Sequence, residues 1–151
     1  MPVVLQNRQR MVTIDRAWLR RTAEAVLSAA RADNAELSLE VVSDQRMRAL
    51  NRRYLSKDRA TDVLAFPMMK RGQICFSRGE INLPPLLLGD VVISAPTARR
   101  QAAELGHGLR EELRRLLVHG VLHLLGYDHE RGPYDAALMA RRERAILKTI
   151  D

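Results

Sequence analysis

The stretch at residues 119–129 reads His-Gly-Val-Leu-His-Leu-Leu-Gly-Tyr-Asp-His and holds three of the chain's four histidines. His119 and His123 lie four residues apart, so on a helix their imidazole rings project from one face, one turn apart. Gly126 suits the left-handed conformation that ends a helix, and a turn there brings His129 back toward the first two rings. Three neutral nitrogen ligands with a fourth position open are typical of a catalytic zinc site. The stretch therefore predicts a helix that ends in a metal centre.

The same histidines have a plain structural alternative, in which His119 and His123 edge an apolar helix and His129 lies in a loop. We favour metal binding because a glycine breaks the helix where the third ring must fold back, and because histidine is the commonest ligand for such metals. Zinc suits three imidazoles without a carboxylate, although ligand type alone also permits nickel, copper or iron.

Gly120 separates this stretch from the zinc proteases of the metzincin type. Those enzymes carry His-Glu-x-x-His-x-x-Gly-x-x-His, in which the Glu is the general base. This chain has the three histidines and the glycine at matching offsets, but Gly120 stands at the position of that Glu. Because a glycine cannot take a proton, peptide hydrolysis is disfavoured. A phosphodiester, which brings its own charged groups, is the favoured substrate.

Length and composition predict one globular domain that spans residues 1–151. An apolar content of 46% supports a single core at this length. We find no segment long and apolar enough to span a membrane, and the N-terminus lacks the apolar stretch of a secretory signal. The single cysteine, Cys75, excludes an internal disulfide and is interpreted as a small packing residue. We therefore expect a cytoplasmic protein.

The charge balance favours a nucleic-acid partner, though modestly. The 25 basic residues exceed the 18 acidic ones and give a net charge of +7, and 22 of the basic residues are arginine. The planar guanidinium group matches phosphate oxygens, and a basic surface is the electrostatic footprint of a nucleic-acid-binding protein. Coding composition produces the same arginine bias, however, so charge alone does not decide the function.

Hydrophobic patterning predicts an α+β fold: a small mixed four-stranded sheet packed with about five helices, with the metal site at the end of a central helix. The predicted strands lie near residues 3–5, 36–42, 62–67 and 87–94. Asp15, Ser43 or Asp44, and Ser94 are the predicted helix caps, and Pro133 opens the last helix.

Three further expectations concern single residues and one loop. Met47, Leu50 and Tyr54 are predicted to face inward from the second helix, and His107 is interpreted as a surface residue. Residues 68–86 are predicted to form a loop, with a weak strand near residues 73–76.

A second cluster precedes the third predicted strand, within residues 51–67. Its basic residues are Arg52, Arg53, Lys57 and Arg59. One interpretation is a phosphate clamp over the metal, and the other is a solvated helix end followed by a turn. Composition does not separate the two.

Taken together, these motifs resemble the YbeY family of bacterial rRNA maturation factors. The stretch at residues 119–129 is similar to that family's signature. Shorter motifs flank it in the family's order, and the resemblance runs from about residue 36 to the C-terminus. These motifs are Leu50-Asn51-Arg52-x-Tyr54, Lys57-Asp58, Thr61-Asp62-Val63-Leu64-x-Phe66-Pro67 and Gly89-Asp90-Val91-x-Ile93-Ser94.

The resemblance implies a zinc-dependent single-strand endoribonuclease, with one Zn²⁺ ion per chain held by His119, His123 and His129. The implied work is maturation of the small-subunit ribosomal RNA 3′ end, together with ribosome assembly and quality control. The implied partners are ribosomal RNA, small-subunit ribosomal proteins and an assembly GTPase. The resemblance also implies an arginine directly after the tyrosine that ends the second helix. This chain departs from that pattern, since Leu55 follows Tyr54.

Two residues are predicted to act in catalysis, and one alternative function stays open. Arg59 is predicted to contact RNA with Arg52, Arg53 and Lys57, and to neutralise charge that develops on the phosphate. Asp128 either orients a ligand or accepts a proton, or it only caps the loop. Because Gly120 leaves no obvious base, the alternative is a non-catalytic RNA- and ribosome-binding assembly factor with a structural zinc. A zinc hydrolase of small amides is a weaker third option for the same reason.

Overall fold

The computed structural model describes residues 3–68 and 86–150. In these residues four strands form one sheet in the order β1-β2-β4-β3. β1 pairs with β2 and β2 with β4 in parallel, whereas β3 is antiparallel to β4, so the predicted mixed four-stranded sheet is confirmed. The strands are β1 (Val3–Asn7), β2 (Ala35–Val42), β3 (Val63–Pro67) and β4 (Leu86–Ser94).

Five α-helices accompany this sheet in the described part of the chain, as predicted. Asp15, Ser43 and Ser94 cap the first three, since each side chain accepts a hydrogen bond from a backbone N–H in the first turn. A short 3₁₀ turn (His129–Arg131) separates the last two helices. The helices are α1 (Arg16–Ala29), α2 (Asp44–Leu55), α3 (Ala95–Leu105), α4 (Leu109–Leu124) and α5 (Pro133–Thr149).

The sheet is covered on both faces, and β4 lies in its interior. Val91 and Ile93 belong to the main core, which also takes in the buried faces of α1, α4 and α5. Val92 joins Met47 of α2 in a smaller cluster on the opposite face. A strand buried on both faces is apolar at consecutive positions, as β4 is from Val91 to Ile93. This packing fixes α4 against the centre of the sheet.

Two predictions about side-chain exposure are wrong. Tyr54, predicted to face inward, is 55% exposed, because its ring meets Phe66 of the edge strand β3 only edge-on, with centroids 5.4 Å apart. His107, predicted to lie on the surface, is mostly covered, and its Nε2 lies 2.9 Å from Oε1 of Glu112. Glu112 is fully buried, so its carboxylate requires such polar partners.

Several expectations fall on residues that the structure does not describe. The weak strand near residues 73–76, the interior of the predicted loop at residues 68–86, and the packing role of Cys75 lie outside the described ranges. Among the described helices, none has the length and apolar character needed to cross a membrane.

Candidate metal centre

The three histidines converge, as the sequence predicted. His119 and His123 lie in the last two turns of α4, and Gly126 adopts a φ of 100°, which turns the chain back toward them. The Nε2 atoms of His119 and His123 are 3.1 Å apart. The His129 ring centroid lies 5.4 Å from each of the other two centroids. One ligand atom from each residue lies within 4.8 Å of the others, so the group can hold a metal ion.

The donor set suits a borderline divalent ion such as zinc. Metal–nitrogen bonds of about 2.0–2.1 Å in a tetrahedron place two nitrogens roughly 3.4 Å apart, close to the observed separation of the two Nε2 atoms. Burial, followed by the neighbouring rings of His119 and His129, lowers the pKa of His123. The lowered pKa favours the neutral imidazole that metal ions bind.

The packing around Gly120 explains why no glutamate stands at the position of the metzincin base. A Cβ at position 120 would lie 2.8 Å and 3.1 Å from the two methyl carbons of Val91, and 3.4 Å from Cγ2 of Val63. Helix α4 therefore approaches β3 and β4 so closely at this point that a side chain has no room. The glutamate of the metzincin pattern is excluded by the packing of α4 on the sheet.

The three rings line an open cleft of about 960 Å³. The chain that follows α2 forms one wall of this cleft together with β3, and residues 126–131 form another. Charged side chains of both signs line it, so the cleft suits a polar, extended ligand. These charged residues are Lys57, Arg59, Asp62, Asp128, Glu130 and Arg131.

The basic cluster divides between the cleft and the surface. Lys57 and Arg59 line the cleft, whereas Arg52 and Arg53 are exposed in the last turn of α2 and are not among the lining residues. The buried Asn51 donates a 2.9 Å hydrogen bond from its side chain to the carbonyl of Arg59 and so ties the loop to α2. The structure thus brings two of the four predicted RNA-binding residues to the histidines.

Leu55 also lines the cleft. The residue that follows the helix-ending Tyr54 therefore faces the same space as the histidines, and it is apolar.

Asp128 caps the turn that presents His129. Its Oδ1 accepts a 2.9 Å hydrogen bond from the backbone N–H of Glu130, and its Oδ2 lies 3.4 Å from Nε of Arg131. The carboxylate lines the cleft as well. The capping role is therefore observed, and the second carboxylate oxygen lies beside Arg131, another residue of the cleft lining.

Sequence reasoning missed two residues around this centre. Arg131 lines the cleft two residues after His129, and its position beside the motif was a signal that could have been used. Glu143 of α5 places Oε1 2.6 Å from Nδ1 of His119. That contact spans 24 residues and two helices, so no local spacing could have indicated it.

Sequence comparison matches this chain to one family over nearly its whole length. A family model described as Endoribonuclease YbeY matches residues 4–151. A protein of Aquifex aeolicus with the name Endoribonuclease YbeY is 44% identical over 148 residues, which are 98% of this chain and 91% of that protein. A Geobacter metallireducens protein of the same name is 43% identical over an alignment of 153 positions, which covers 100% of this chain and 97% of that protein.

A solved structure shares the fold. The solution structure of a Thermotoga maritima protein matches with a TM-score of 0.65 at 20% sequence identity, over 98% of this chain and 88% of that one. At this identity the likeness speaks for the fold alone. The family model and the two relatives extend over nearly the whole chain and show that it belongs to the endoribonuclease YbeY family.

Proposed function

We propose that this chain is a zinc-dependent endoribonuclease that cuts single-stranded RNA in the maturation of the small-subunit rRNA 3′ end, and thereby serves ribosome assembly and quality control. One observation carries the proposal: three histidine nitrogens converge in an open cleft that Lys57 and Arg59 also line. The name shared by the relatives supports RNA cleavage. The proposal treats residues 1–151 as one catalytic domain.

His119, His123 and His129 are the proposed ligands of one zinc ion. A bound zinc ion would supply Lewis acidity at the scissile phosphate. The lowered pKa of His123 keeps its ring nitrogen free to bind at neutral pH. The close fit of Gly120 against Val91 holds α4, and with it two of the three rings, in a fixed position on the sheet.

Arg59 and Asp128 are the proposed catalytic residues. Arg59 lines the cleft, and its guanidinium neutralises charge that develops on the phosphate as the bond breaks. Asp128 uses Oδ1 to cap the turn, and its Oδ2, which also lies 3.4 Å from Nε of Arg131, is the proposed acceptor of a proton from the attacking hydroxyl. Lys57 binds an adjacent phosphate, and the exposed Arg52 and Arg53 extend the positive surface beyond the cleft.

A second candidate function is a non-catalytic RNA- and ribosome-binding assembly factor whose zinc is structural. Two observations favour it. The position of the metzincin base has no room for a side chain, and the carboxylate of Asp128 already accepts a backbone hydrogen bond. In both versions the proposed location is the cytoplasm, and the proposed partners are ribosomal RNA, small-subunit ribosomal proteins and an assembly GTPase. The net charge of +7 supports the RNA partner.

Cleavage of a defined RNA separates the two functions. The substrate is a single-stranded fragment from the 3′ end of small-subunit rRNA, incubated with the zinc-loaded protein and with His119→Ala, Arg59→Ala and Arg53→Ala. Arg99→Ala, an exposed arginine on α3, is the matched control. We expect the His119 variant to lose cleavage, the Arg59 variant to slow it by about 10²-fold or more, and the control to match wild type.

Three results would count against the enzyme. Cleavage by His119→Ala at the wild-type rate would reject the metal-dependent scheme. Equal cleavage rates for Arg53→Ala, Arg59→Ala and wild type would show that neither arginine contributes to RNA cleavage. Equal RNA binding without cleavage by either wild type or His119→Ala would establish the assembly factor instead.

A further inference from the structure

One carboxylate contacts the histidine cluster from outside the cleft. Oε1 of Glu143 lies 2.6 Å from Nδ1 of His119. In the neutral imidazole, a carboxylate acceptor at Nδ1 selects the tautomer that carries the proton on Nδ1, which leaves the ring's lone pair on Nε2. That Nε2 lies 3.1 Å from Nε2 of His123. The contact therefore directs the unprotonated nitrogen of His119 toward the point where the rings converge.

The packing of α5 holds this carboxylate in place. Met139, four residues before Glu143, and Ile146, three residues after it, are each 1% exposed and belong to the main core. Residues at these spacings share one helix face, so Glu143 lies on the face by which α5 is anchored. Its own side chain is only 25% exposed. The core contacts of α5 therefore hold the Glu143 carboxylate in place, and it does not behave as a mobile surface group.

Glu143 reaches the site only through His119. All three histidines line the cleft, and so do Asp62, Asp128 and Glu130, but Glu143 is not among the lining residues of the described chain. A residue that exchanges a proton with a substrate must reach the cleft. The carboxylate of Glu143 therefore has a different task from that of Asp128.

We propose that Glu143 is a positioning residue, which fixes the tautomer and ring orientation of His119 so that Nε2 is presented to the metal ion. The inference rests on the proposed binding of a metal by the three histidines. A carboxylate on the second ring nitrogen of a ligating histidine also makes that histidine a stronger ligand, and loss of such a partner weakens metal binding by about 10–100-fold.

Zinc affinity is the first test. The dissociation constant is measured by competition with a chromophoric chelator for wild type, Glu143→Ala and Glu143→Gln. Glu104→Gln, an exposed glutamate on α3, is the matched control. We expect zinc binding to weaken by about 10–100-fold in Glu143→Ala and by less in Glu143→Gln, whose amide oxygen still accepts the Nδ1–H bond. The control should bind as wild type does.

The second test needs no metal. Imidazole ¹⁵N chemical shifts of the metal-free protein report which ring nitrogen of His119 carries the proton. We expect Nδ1–H in wild type and in Glu143→Gln, and a shift toward Nε2–H in Glu143→Ala. A glutamate that only supports the fold would change the melting temperature without moving this proton. If the Ala variant does not fold, Glu143→Leu replaces it in both tests, because leucine keeps most of the side-chain volume and accepts no hydrogen bond.

The outcomes separate this inference from the proposed function. If wild type binds zinc and both Glu143 variants bind it equally well, the positioning role is wrong and the metal centre stands. If wild type binds no zinc, the metal centre and the positioning role fall together. An unchanged His119 tautomer in Glu143→Ala would also overturn the role of Glu143.

Discussion

Replacement of Gly120 by alanine tests how closely α4 lies against the sheet. The added Cβ would meet Cγ1 of Val91 at 2.8 Å and Cγ2 at 3.1 Å. Val91 is fully buried in the central strand β4, and a β-branched side chain there is stiff about χ1, so it cannot turn away. Either the helix or the strand must move.

The expected loss of stability follows from two opposing effects. Overpacking in a close-packed core costs about 1–3 kcal/mol, whereas replacing glycine by alanine inside a helix gains about 1 kcal/mol. Because a 2.8 Å approach to a buried side chain forces a shift, the cost should lie in the upper part of that range, about 2–3 kcal/mol. We therefore expect Gly120→Ala to lower the free energy of unfolding by about 1–2 kcal/mol. Gly120→Glu, which restores the metzincin sequence, should be far more destabilising and should gain no peptidase activity.

A double-mutant cycle with Val91→Ala isolates the contact. Val91→Ala removes both methyl carbons that the new Cβ would meet, so in that background Gly120→Ala should become neutral or stabilising by up to about 1 kcal/mol. The assay is urea unfolding of the metal-free proteins, followed by circular dichroism. If Gly120→Ala is as stable as wild type in the native background, or equally destabilising in both backgrounds, the described approach of α4 to β4 is wrong.

Two further predictions concern Glu112 and Leu55. Burial raises the pKa of Glu112, but hydrogen bonds from Arg115 and His107 outweigh it and hold the pKa below the ordinary value of 4.5. The stability contributed by this group is therefore complete above that value and is lost as pH falls through the folded-state pKa. Urea unfolding from about pH 5 to pH 3 should show a steeper loss in wild type than in Glu112→Gln, and parallel curves would contradict this. Leu55→Arg, which adds a cation to the cleft wall, should tighten RNA binding and steepen its salt dependence by about one unit. An unchanged salt dependence of RNA binding in Leu55→Arg would show that position 55 does not contact the RNA.

The sequence predicts those features that depend on neighbouring residues. The caps at Asp15, Ser43 and Ser94, the buried run of β4 and the turn at Gly126 all follow from short-range chemistry, and the structure confirms them. The convergence of the three histidines could be predicted from the sequence because one helix and the turn after it carry all of them.

Contacts between distant segments could not be predicted in this way. His119 and Glu143 meet because α5 packs on α4, and the pattern of either helix alone does not reveal the register between them. Tyr54 contacts Phe66 of β3 and is still 55% exposed, and the pattern of α2 alone does not reveal how its last turn lies against that strand. The sequence shows that Gly120 stands where the metzincins have their glutamate base. Its close contact with Val91 could not be predicted, because that contact depends on how α4 packs on the sheet.

The central claim is that the three histidines bind one metal ion, and metal analysis of the purified protein tests it most directly. We expect one zinc ion per chain in wild type and none in His119→Ala, His123→Ala or His129→Ala, while Glu104→Gln keeps its full metal content. Wild-type protein that holds no stoichiometric metal after zinc loading, or histidine variants that retain it, would contradict the account.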